Sequence, residues 1–478
     1  MSPRETGRHR QRILLGALFG LSLTAAFFFL IRGNLVPGLL ALLFPFVLLY
    51  VVYLFLRPQA GLVSILAVNY FAIGLARYVP GPLGLALDGV LVLTWLSLVF
   101  SQFNRKVPWQ NAARMMTLLA VVWFAYTLFQ LFNPESVSRL AWFYAMRGVS
   151  LYMVLSIPLV FLLYNEPRHL AVFLRLLAWF TLAAVAKGLM QKFVGPDPWE
   201  DRWLDMGGGV THRLPGGLRI FSFFADSATY GGSMGFSGVV FTILSLHESN
   251  RRQKFFYAGV AGAAFFALLI SGTRGALAVP AAGFSMYLLL SRRFRLLLVG
   301  GTLMVSVYSV LKYTDIGGSV YEIRRIRTAL DPNNPSLLVR KENRLLFKAY
   351  LADRPFGGGI GSAGNWGLRF SPGTFLAETP PDGWYIQVWA EQGIVGLSLY
   401  MALLLLILGK ASYLGLFVLK TNFGRARALA FSSGMFGVMA ASYSSSALGQ
   451  MPNVILIYMG MAFVSLLPDW ERDKRVSD

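Results

Sequence analysis

Three basic residues lie at helical spacing in a polar stretch of the chain. Arg340, Arg344 and Lys348 are separated by four residues each, so on a helix they would share one face. Like charges at this spacing repel each other by about 0.2–0.5 kcal/mol per pair, and a bound anion would remove that cost. The spacing therefore predicts an anion-binding face. The alternative interpretation is a face that contacts solvent or lipid headgroups.

Two acidic residues follow, one before an apolar segment and one within it. Asp382 lies between Pro381 and Gly383, immediately before a predicted span that begins near Trp384. Its carboxylate could cap that helix, act as a general base, or do both. Glu391 lies deeper in the same span. An ionisable side chain inside a membrane helix is expected to be functional or ion-paired.

A glycine-rich loop, residues 356–361, lies between the basic residues and these carboxylates. The backbone amides of such a loop can approach a phosphate closely. The known nucleotide-binding motifs are absent, because no GK[ST] sequence follows the loop and no Rossmann strand precedes it. Packing against neighbouring helices is therefore the favoured interpretation.

Arginines also occur in two other segments that are predicted to face the same side. Arg274 lies in the sequence SGTRG, between two apolar segments. Arg213 and Arg219 precede the sequence FFADSATYGG, in which Asp226 and Tyr230 open the next span. The planar guanidinium group of arginine can donate two hydrogen bonds to a phosphate at once. Together these sites indicate a polyanion at one membrane surface, although contact with lipid headgroups would explain any one of them.

The elements that must position these residues are membrane helices. Of the 478 residues 56% are hydrophobic and 14% are charged, and apolar runs of about 18 or more residues recur. We predict an all-α polytopic membrane protein with about 12–14 transmembrane helices and one large, partly helical extracytoplasmic loop. The predicted spans are 13–31, 35–56, 60–79, 83–101, 115–132, 148–165, 170–193, 223–246, 255–271, 275–290, 296–311, 384–409, 428–447 and 451–468. The chain has no cysteine and its four histidines are scattered, so no metal site is expected.

Basic residues in alternate short loops set the predicted orientation. They are Arg105, Lys106, Arg114, Arg251, Arg252, Lys254, Arg292, Arg293, Arg295, Lys410, Lys420, Arg425 and Arg427. By the positive-inside rule this side, which also holds both termini, is cytoplasmic, and the net charge of +21 reflects topology rather than nucleic-acid binding. We divide the chain into 1–311, with eleven helices and the outward loop 194–222, the large extracytoplasmic loop 312–383, and the C-terminal helices 384–478.

Three sequences together resemble one family. SGTRG, NRLLFKAYLADRPFGGGIG and DGWYIQVWAEQGIVG are similar to sequences of the O-antigen ligase/O-antigen polymerase superfamily, over about residues 205–400. The resemblance implies a C-type glycosyltransferase of the bacterial inner membrane that uses no nucleotide sugar and no cofactor. It implies a donor glycan carried on undecaprenyl diphosphate. Transfer would occur on the outer face, to a glycan or to lipid A-core.

The resemblance also implies roles for individual residues. Arg213 or Arg219 contributes to binding the donor diphosphate, and Arg274 and Arg344 match other basic positions of the family. Ligases commonly carry a histidine before the helix that begins GWYIQVW, where it is proposed to activate the acceptor hydroxyl. Here that position is Asp382. A carboxylate can also serve as a base, as in glycosidases, so the difference favours a polymerase over a ligase.

Other side chains are expected to contact the substrate. They are Arg340, Lys348, Glu378, Asp226, Tyr230 and Glu391. Glu378 and Asp226 are the alternative carboxylates if Asp382 is not the base. Membrane lipids are expected partners and a chain-length regulator is a candidate partner. A transporter or flippase for the same lipid-linked glycan is the alternative from another class, but it should place its charges in a central cavity and show two related halves.

Overall fold

The computed structural model describes residues 3–79, 81, 83–214, 217–292, 294–316, 324, 327 and 335–477. These ranges are largely helical, which confirms the predicted all-α class. Part of the predicted loop 312–383 lies outside the described residues, namely 317–323, 325–326 and 328–334.

Twenty α-helices account for most of the described residues. The first ten are α1 Pro3–Ile31, α2 Leu35–Leu56, α3 Gly61–Leu75, α4 Ala86–Ser101, α5 Met115–Phe129, α6 Arg139–Met146, α7 Tyr152–Leu162, α8 Pro167–Phe193, α9 Pro198–Trp203 and α10 Gly209–His212. The others are α11 Ser227–His247, α12 Arg251–Ile270, α13 Ala278–Ser291, α14 Phe294–Tyr313, α15 Pro335–Tyr350, α16 Gly364–Phe370, α17 Phe375–Glu378, α18 Trp384–Tyr413, α19 Asn422–Ala441 and α20 Asn453–Ser477.

Shorter elements connect these helices. Single 3-10 turns cover Pro58–Ala60, Leu83–Leu85, Trp109–Ala112, Gln130–Phe132 and Arg274–Leu277, and π-helical turns cover Arg147–Leu151, Leu204–Gly208 and Leu414–Val418. Two short strands, β1 Arg213–Leu214 and β2 Gly217–Leu218, pair antiparallel.

Nine helical segments of the described ranges are long and apolar enough to cross a membrane. They are Pro37–Leu56, Pro58–Leu75, Leu83–Ser101, Met115–Phe132, Arg139–Leu162, Pro167–Phe193, Arg251–Ile270, Trp384–Val418 and Asn453–Asp473. The predicted span 13–31 corresponds to a shorter apolar helix, Gly16–Ile31. The chain is therefore a multi-pass membrane protein, as its composition predicts.

Four further predicted spans are also helical but are not among these nine. They correspond to α11, α13, α14 and α19. α11 and α19 are rich in glycine, alanine and serine, and most of their residues are buried inside the protein. A helix that is surrounded by protein rather than lipid does not need a strongly apolar surface, and small residues let neighbouring backbones approach.

The chain forms two compact units. The first comprises Met1–Gly61 and Gly89–Val107, and the second comprises Leu62–Asp88 and Pro108–Asp478. Every residue that we predicted for the site belongs to the second unit. The predicted division at residues 311 and 383 concerns membrane topology, which these compact units do not test, so it stays a prediction.

Helix α11 lies in the core of the second unit and packs against α12, α13 and α19. Glycines allow these close contacts. A Cβ atom added to Gly235 would lie 2.9 Å from Val279 Cβ, and one added to Gly437 would lie 2.3 Å from the Val279 carbonyl oxygen. The small residues that lower the hydropathy of α11 and α19 are therefore those that bring the helices together.

The glycine-rich loop packs against a break in α18. Gly393 interrupts that helix with a φ of 66°. Here the Pro355 carbonyl accepts a hydrogen bond from Val395 N–H at 3.2 Å, and Gly358 N–H donates to the Ala390 carbonyl at 2.9 Å. The glycine-rich loop therefore packs against a neighbouring helix, which is the interpretation that the sequence favoured.

A small hydrophobic core joins the same loop region to α18. Phe347 of α15, Leu351 just after that helix, Leu376 of α17 and Ala390 of α18 are buried together. Because α15 carries the predicted basic face, this core fixes that face relative to the membrane helix that follows it.

The break at Gly393 yields a stability prediction. In Gly393→Ala the new Cβ would lie 2.0 Å from the Pro355 carbonyl oxygen, and alanine disfavours a positive φ. We expect a loss of about 2–3 kcal/mol, seen as a lower apparent Tm in detergent. Gly409→Ala in the same helix is the matched control. No atom lies within 4 Å of its added Cβ, so its Tm should stay or rise. An unchanged Tm for Gly393→Ala would contradict the close contact.

Candidate functional site

The turn between α19 and α20, residues 442–450, connects the predicted motifs. Trp384 N–H, at the start of α18, donates to the Ser442 carbonyl at 2.9 Å and to the Ser445 carbonyl at 3.0 Å. A Cβ atom added to Gly383 would lie 2.4 Å from the Tyr443 carbonyl oxygen. The 442–450 turn therefore holds the entry to α18 in place.

Arg344 of α15 reaches this turn. Its guanidinium lies 4.2 Å from the centroid of the Tyr443 ring, and its Nη1 donates a hydrogen bond to the Tyr443 hydroxyl. Its Nε is buried and has no hydrogen-bond partner among the described residues. An N–H donor that is buried without an acceptor carries an energetic cost. The residue as a whole is only partly buried, so part of the Arg344 side chain remains accessible.

Asp382 is held by the same helix. Asn343 Nδ2 donates to its Oδ2 at 3.1 Å, and Arg340 Nε lies 3.6 Å from its Oδ1. Gly383 occupies the N-cap position of α18 and no side chain caps that helix. The capping role considered for Asp382 is therefore not observed, and its carboxylate faces α15 instead.

The predicted basic face on α15 is thus divided between different contacts. Arg340 pairs with Asp382, Arg344 contacts Tyr443, and Lys348 is exposed. Two of these side chains connect α15 to the 442–450 turn and to the start of α18, while the third faces outward. The shared face therefore places Arg340 beside the Asp382 carboxylate and Arg344 on the Tyr443 ring.

The SGTRG sequence also meets the 442–450 turn. A Cβ atom added to Gly275 would lie 2.5 Å from Ser444 Oγ. Arg274 is partly buried and begins a 3-10 turn. Ser444 follows Tyr443, so SGTRG and Arg344 contact successive residues of one turn.

Arg219 reaches the SGTRG sequence from the 194–222 loop. Its Nη2 donates to Thr273 Oγ1 at 2.8 Å and its Nη1 donates to the Thr211 carbonyl at 3.1 Å. Arg213 instead pairs at the surface with Asp205 at 2.5 Å and Asp201 at 3.0 Å. The sequence left both arginines as candidates, and only Arg219 is brought to the predicted site.

Buried ion pairs anchor the 194–222 loop. Lys187 Nζ of α8 lies 2.8 Å from Asp197 Oδ2 and 3.1 Å from Glu200 Oε1. His212 packs against the rings of Trp203 and Phe221, and burial lowers the pKa of its imidazole below the ordinary value. A neutral histidine beside Arg219 adds no repulsion to that cation.

Glu391 binds the backbone of the loop region rather than a cation. Its carboxylate lies close to the backbone of Gly361 and Ala363, and Gln387 Nε2 donates to its Oε1 at 3.2 Å. Its backbone carbonyl accepts from Gly359 N–H at 2.8 Å. The Gly359 amide is therefore engaged within the protein, and Glu391 helps to fix the loop. Contact between Glu391 and the substrate stays a prediction.

The remaining predicted residues have separate positions. Asp226 caps α11, with its Oδ1 2.8 Å from Thr229 N–H. Tyr230 is buried and its hydroxyl donates to the Ala184 carbonyl at 3.3 Å. Glu378 Oε1 accepts from a backbone N–H five residues earlier, and this side chain lines a cavity. Substrate contact by these three residues stays a prediction.

That cavity has a volume of about 540 Å³ and lies beside the turn that carries Asp382. Pro380, Pro381 and Trp384 form part of its wall, together with Ser446, Gly449 and Gln450 of the 442–450 turn. The arginines described above are not among its lining residues. The site thus has a part that carries arginines and, beside Asp382, a cavity whose wall contains no lysine or arginine.

No group of three or more His, Cys, Asp or Glu side chains that could hold a metal ion occurs among the described residues. Positive charge at the site is supplied by the arginines.

These helices define an all-α, multi-pass membrane protein, and the family that the chain matches has a GT-C-like fold. Residues 259–401 match a family model described as O-antigen ligase. The match confirms the resemblance to the O-antigen ligase/polymerase superfamily over these residues, and it indicates an inner-membrane protein. Arg274, Arg344 and Asp382 lie within the matched range, whereas Arg219 lies before it. A comparison with curated proteins found no match.

The sequence analysis did not identify the 442–450 turn or the contacts of its residues Tyr443 and Gln450. Tyr443 contacts Arg344, and Gln450 Oε1 accepts a hydrogen bond from Thr229 Oγ1 at 2.6 Å. Asn343, which orients Asp382, was also missed. The sequence SYSSS at residues 442–446, four serines around Tyr443 at a connection between two spans, was the available signal.

The two arginines of the 194–222 loop should differ in anion binding. The resemblance implies undecaprenyl diphosphate as the carrier of the donor. For Arg219→Lys we expect the affinity for this lipid to fall about tenfold or more, because lysine lacks the planar guanidinium group that contacts Thr273. Arg213→Lys is the matched control and should bind like the parent, since lysine can still pair with the surface carboxylates. Isothermal titration calorimetry on protein in nanodiscs gives both affinities. The reverse ranking would assign the diphosphate to Arg213.

Proposed function

We propose that this protein transfers a glycan from undecaprenyl diphosphate to a sugar hydroxyl on the outer face of the bacterial inner membrane, and that it joins polysaccharide repeat units. One observation carries the proposal. Arg344 and the SGTRG turn meet at successive residues of the 442–450 turn, which also holds the start of α18 behind Asp382. The family match supports the reaction class.

The arginines suit the leaving group of this reaction. When the bond between the anomeric carbon and the diphosphate oxygen breaks, the electron pair stays with the diphosphate. Arg344, Arg274 and Arg219 would stabilise this charge as preorganised donors. Arg344 is only partly buried, and its guanidinium is held against the Tyr443 ring. Arg219 is positioned by its contact with Thr273.

Asp382 suits the role of base. In the proposed step the acceptor oxygen attacks the anomeric carbon in line with the leaving diphosphate, which inverts that carbon. Asp382 receives the hydroxyl proton. Its side chain is 24% exposed, and Asn343 binds one of its oxygens while Arg340 lies near the other. These contacts hold the carboxylate in one orientation while leaving it accessible to an acceptor.

The residue at position 382 favours polymerisation over ligation, since ligases resembling this chain commonly carry histidine there. Ligation to lipid A-core is the second candidate function, because the matching family model is described as O-antigen ligase. A polymerase would use the same lipid-linked glycan as donor and acceptor, and a chain-length regulator would be its candidate partner.

The reaction is tested by incubating purified protein with undecaprenyl-diphosphate-linked repeat unit alone. We expect a ladder of longer lipid-linked glycans on a gel, because each product can serve again as a substrate. Heat-denatured protein is the control. Product that forms only after lipid A-core is added would assign ligation instead, and no product with either acceptor would reject the proposed transfer.

Asp382→Asn should lower the transfer rate about 100- to 10,000-fold, as is typical when a general base is lost. Asparagine keeps the shape of the side chain but cannot accept the proton, so the decline in rate toward low pH should also disappear. Asp382→His should recover part of the activity if the ligase-type geometry is shared.

Asp226→Asn is the matched control for this experiment, because asparagine also caps helices well. It should retain the parental rate and pH profile. If it lost activity while Asp382→Asn stayed fully active, the base would lie at the start of α11, and Asp382 would have a structural role.

A further inference from the structure

The cavity of about 540 Å³ has a lining that differs from the arginine-rich part of the site. Its volume falls in the range of about 300–1,000 Å³ that is usual for small-molecule sites. No lysine or arginine lines it, so nothing in its wall favours a phosphate. The lining side chains that matter for recognition are two tryptophans, three amides and one carboxylate, namely Trp366, Trp384, Asn365, Gln387, Gln450 and Glu378.

Trp366 belongs to a rigid aromatic stack. Its ring lies 5.1 Å from that of Tyr144 at an interplanar angle of 22°, and Phe370 lies 5.3 Å from Tyr144 at 14°. Trp366 and Phe370 are themselves 6.0 Å apart and nearly parallel. A stack of three rings holds Trp366 in one orientation, and an aromatic surface held in this way can bind a ligand with little loss of entropy.

The amide groups are oriented by neighbours outside the cavity. Gln450 Oε1 accepts from Thr229 Oγ1 at 2.6 Å, which leaves its Nε2 to donate elsewhere. Gln387 Nε2 donates to Glu391 Oε1 at 3.2 Å, which leaves its Oε1 to accept. The Asn365 side chain is exposed and has no protein hydrogen-bond partner among the described residues. The wall thus offers both donors and acceptors.

We propose that this cavity binds an uncharged sugar residue of the acceptor glycan, an inference that rests on the proposed transfer reaction. A sugar presents C–H groups on the faces of its ring, which suit an aromatic surface such as Trp366. Its hydroxyl groups both donate and accept hydrogen bonds, which suits the amides. A lipid chain would leave these amides unpaired at a cost.

The position of the cavity agrees with this assignment. Pro381 and Trp384 line it, and Asp382 lies between them in the sequence. A sugar bound there would lie against the turn that carries Asp382. The diphosphate of the donor would lie on the other side, where Arg344 contacts Tyr443.

The test uses the repeat-unit glycan released from its diphosphate by mild acid, so that neither lipid nor phosphate contributes to binding. Its affinity for protein in nanodiscs is measured by saturation-transfer NMR titration. We expect Trp366→Leu to weaken binding about tenfold, through loss of the aromatic surface. Asn365→Ala should weaken it measurably without affecting the fold, because this side chain has no protein partner.

Two controls separate the possible failures. Trp179→Leu removes a tryptophan that is 57% exposed on α8 and should bind the glycan like the parent. Arg274→Lys should also bind the released glycan normally, because the glycan carries no phosphate. An apparent Tm for each variant identifies any loss of fold.

The sugar assignment would be overturned if both Trp366→Leu and Asn365→Ala bound the glycan with the affinity of the parent. It would also be overturned if the parent formed lipid-linked ladders but did not bind the released glycan. Loss of undecaprenyl phosphate binding in Trp366→Leu, with glycan binding intact, would make the cavity a lipid site. A parent that binds the glycan at this cavity but forms no product would reject the transfer reaction while retaining the glycan site.

Discussion

The site depends on the contact between the glycine-rich loop and the break in α18. A helix that is interrupted inside a membrane protein exposes backbone groups that lipid cannot satisfy, so neighbouring protein must bind them. Here the Pro355 carbonyl accepts from Val395, and the N–H of Gly358 donates to Ala390. The buried carboxylate of Glu391 accepts a hydrogen bond from Gln387, and the Glu391 backbone carbonyl accepts one from Gly359 N–H. Only glycine at 393 leaves room for this approach.

This contact determines where the basic helix lies. The loop region that is bound at α18 continues the chain from α15, and the buried side chains of Phe347 and Leu351 pack beside Ala390. With α15 fixed on α18, Arg344 reaches Tyr443 and Asn343 reaches Asp382. The polar contacts at the site thus depend on the packing of the glycine-rich loop against the break in α18. Glu391 contributes to the site by holding this loop.

Features that depend on residues close together in the sequence could be predicted, and contacts between residues far apart in the sequence could not. The apolar spans were predictable because hydropathy sums over about 20 consecutive residues. The basic face of α15 follows from local helical spacing. The 442–450 turn was not predictable in this way, since Tyr443 is 99 residues from Arg344 in the chain and nothing local selects this pair. The same limit applied to Arg213 and Arg219. Arg213 pairs with acidic residues close to it in the sequence, whereas Arg219 bonds to Thr273, which is distant in the sequence.

The pair formed by Arg340 and Asp382 shows why charge at this site is better explained by function than by stability. The two side chains are 32% and 24% exposed and their charged atoms are 3.6 Å apart. Ion pairs with such access to water contribute about 0–1 kcal/mol to folding. A carboxylate near a diphosphate, however, would be repelled by it, at about 4 kcal/mol for unit charges 4 Å apart in a medium of effective dielectric constant 20. An arginine beside the carboxylate offsets this repulsion, so a base and a polyanionic donor can occupy neighbouring positions.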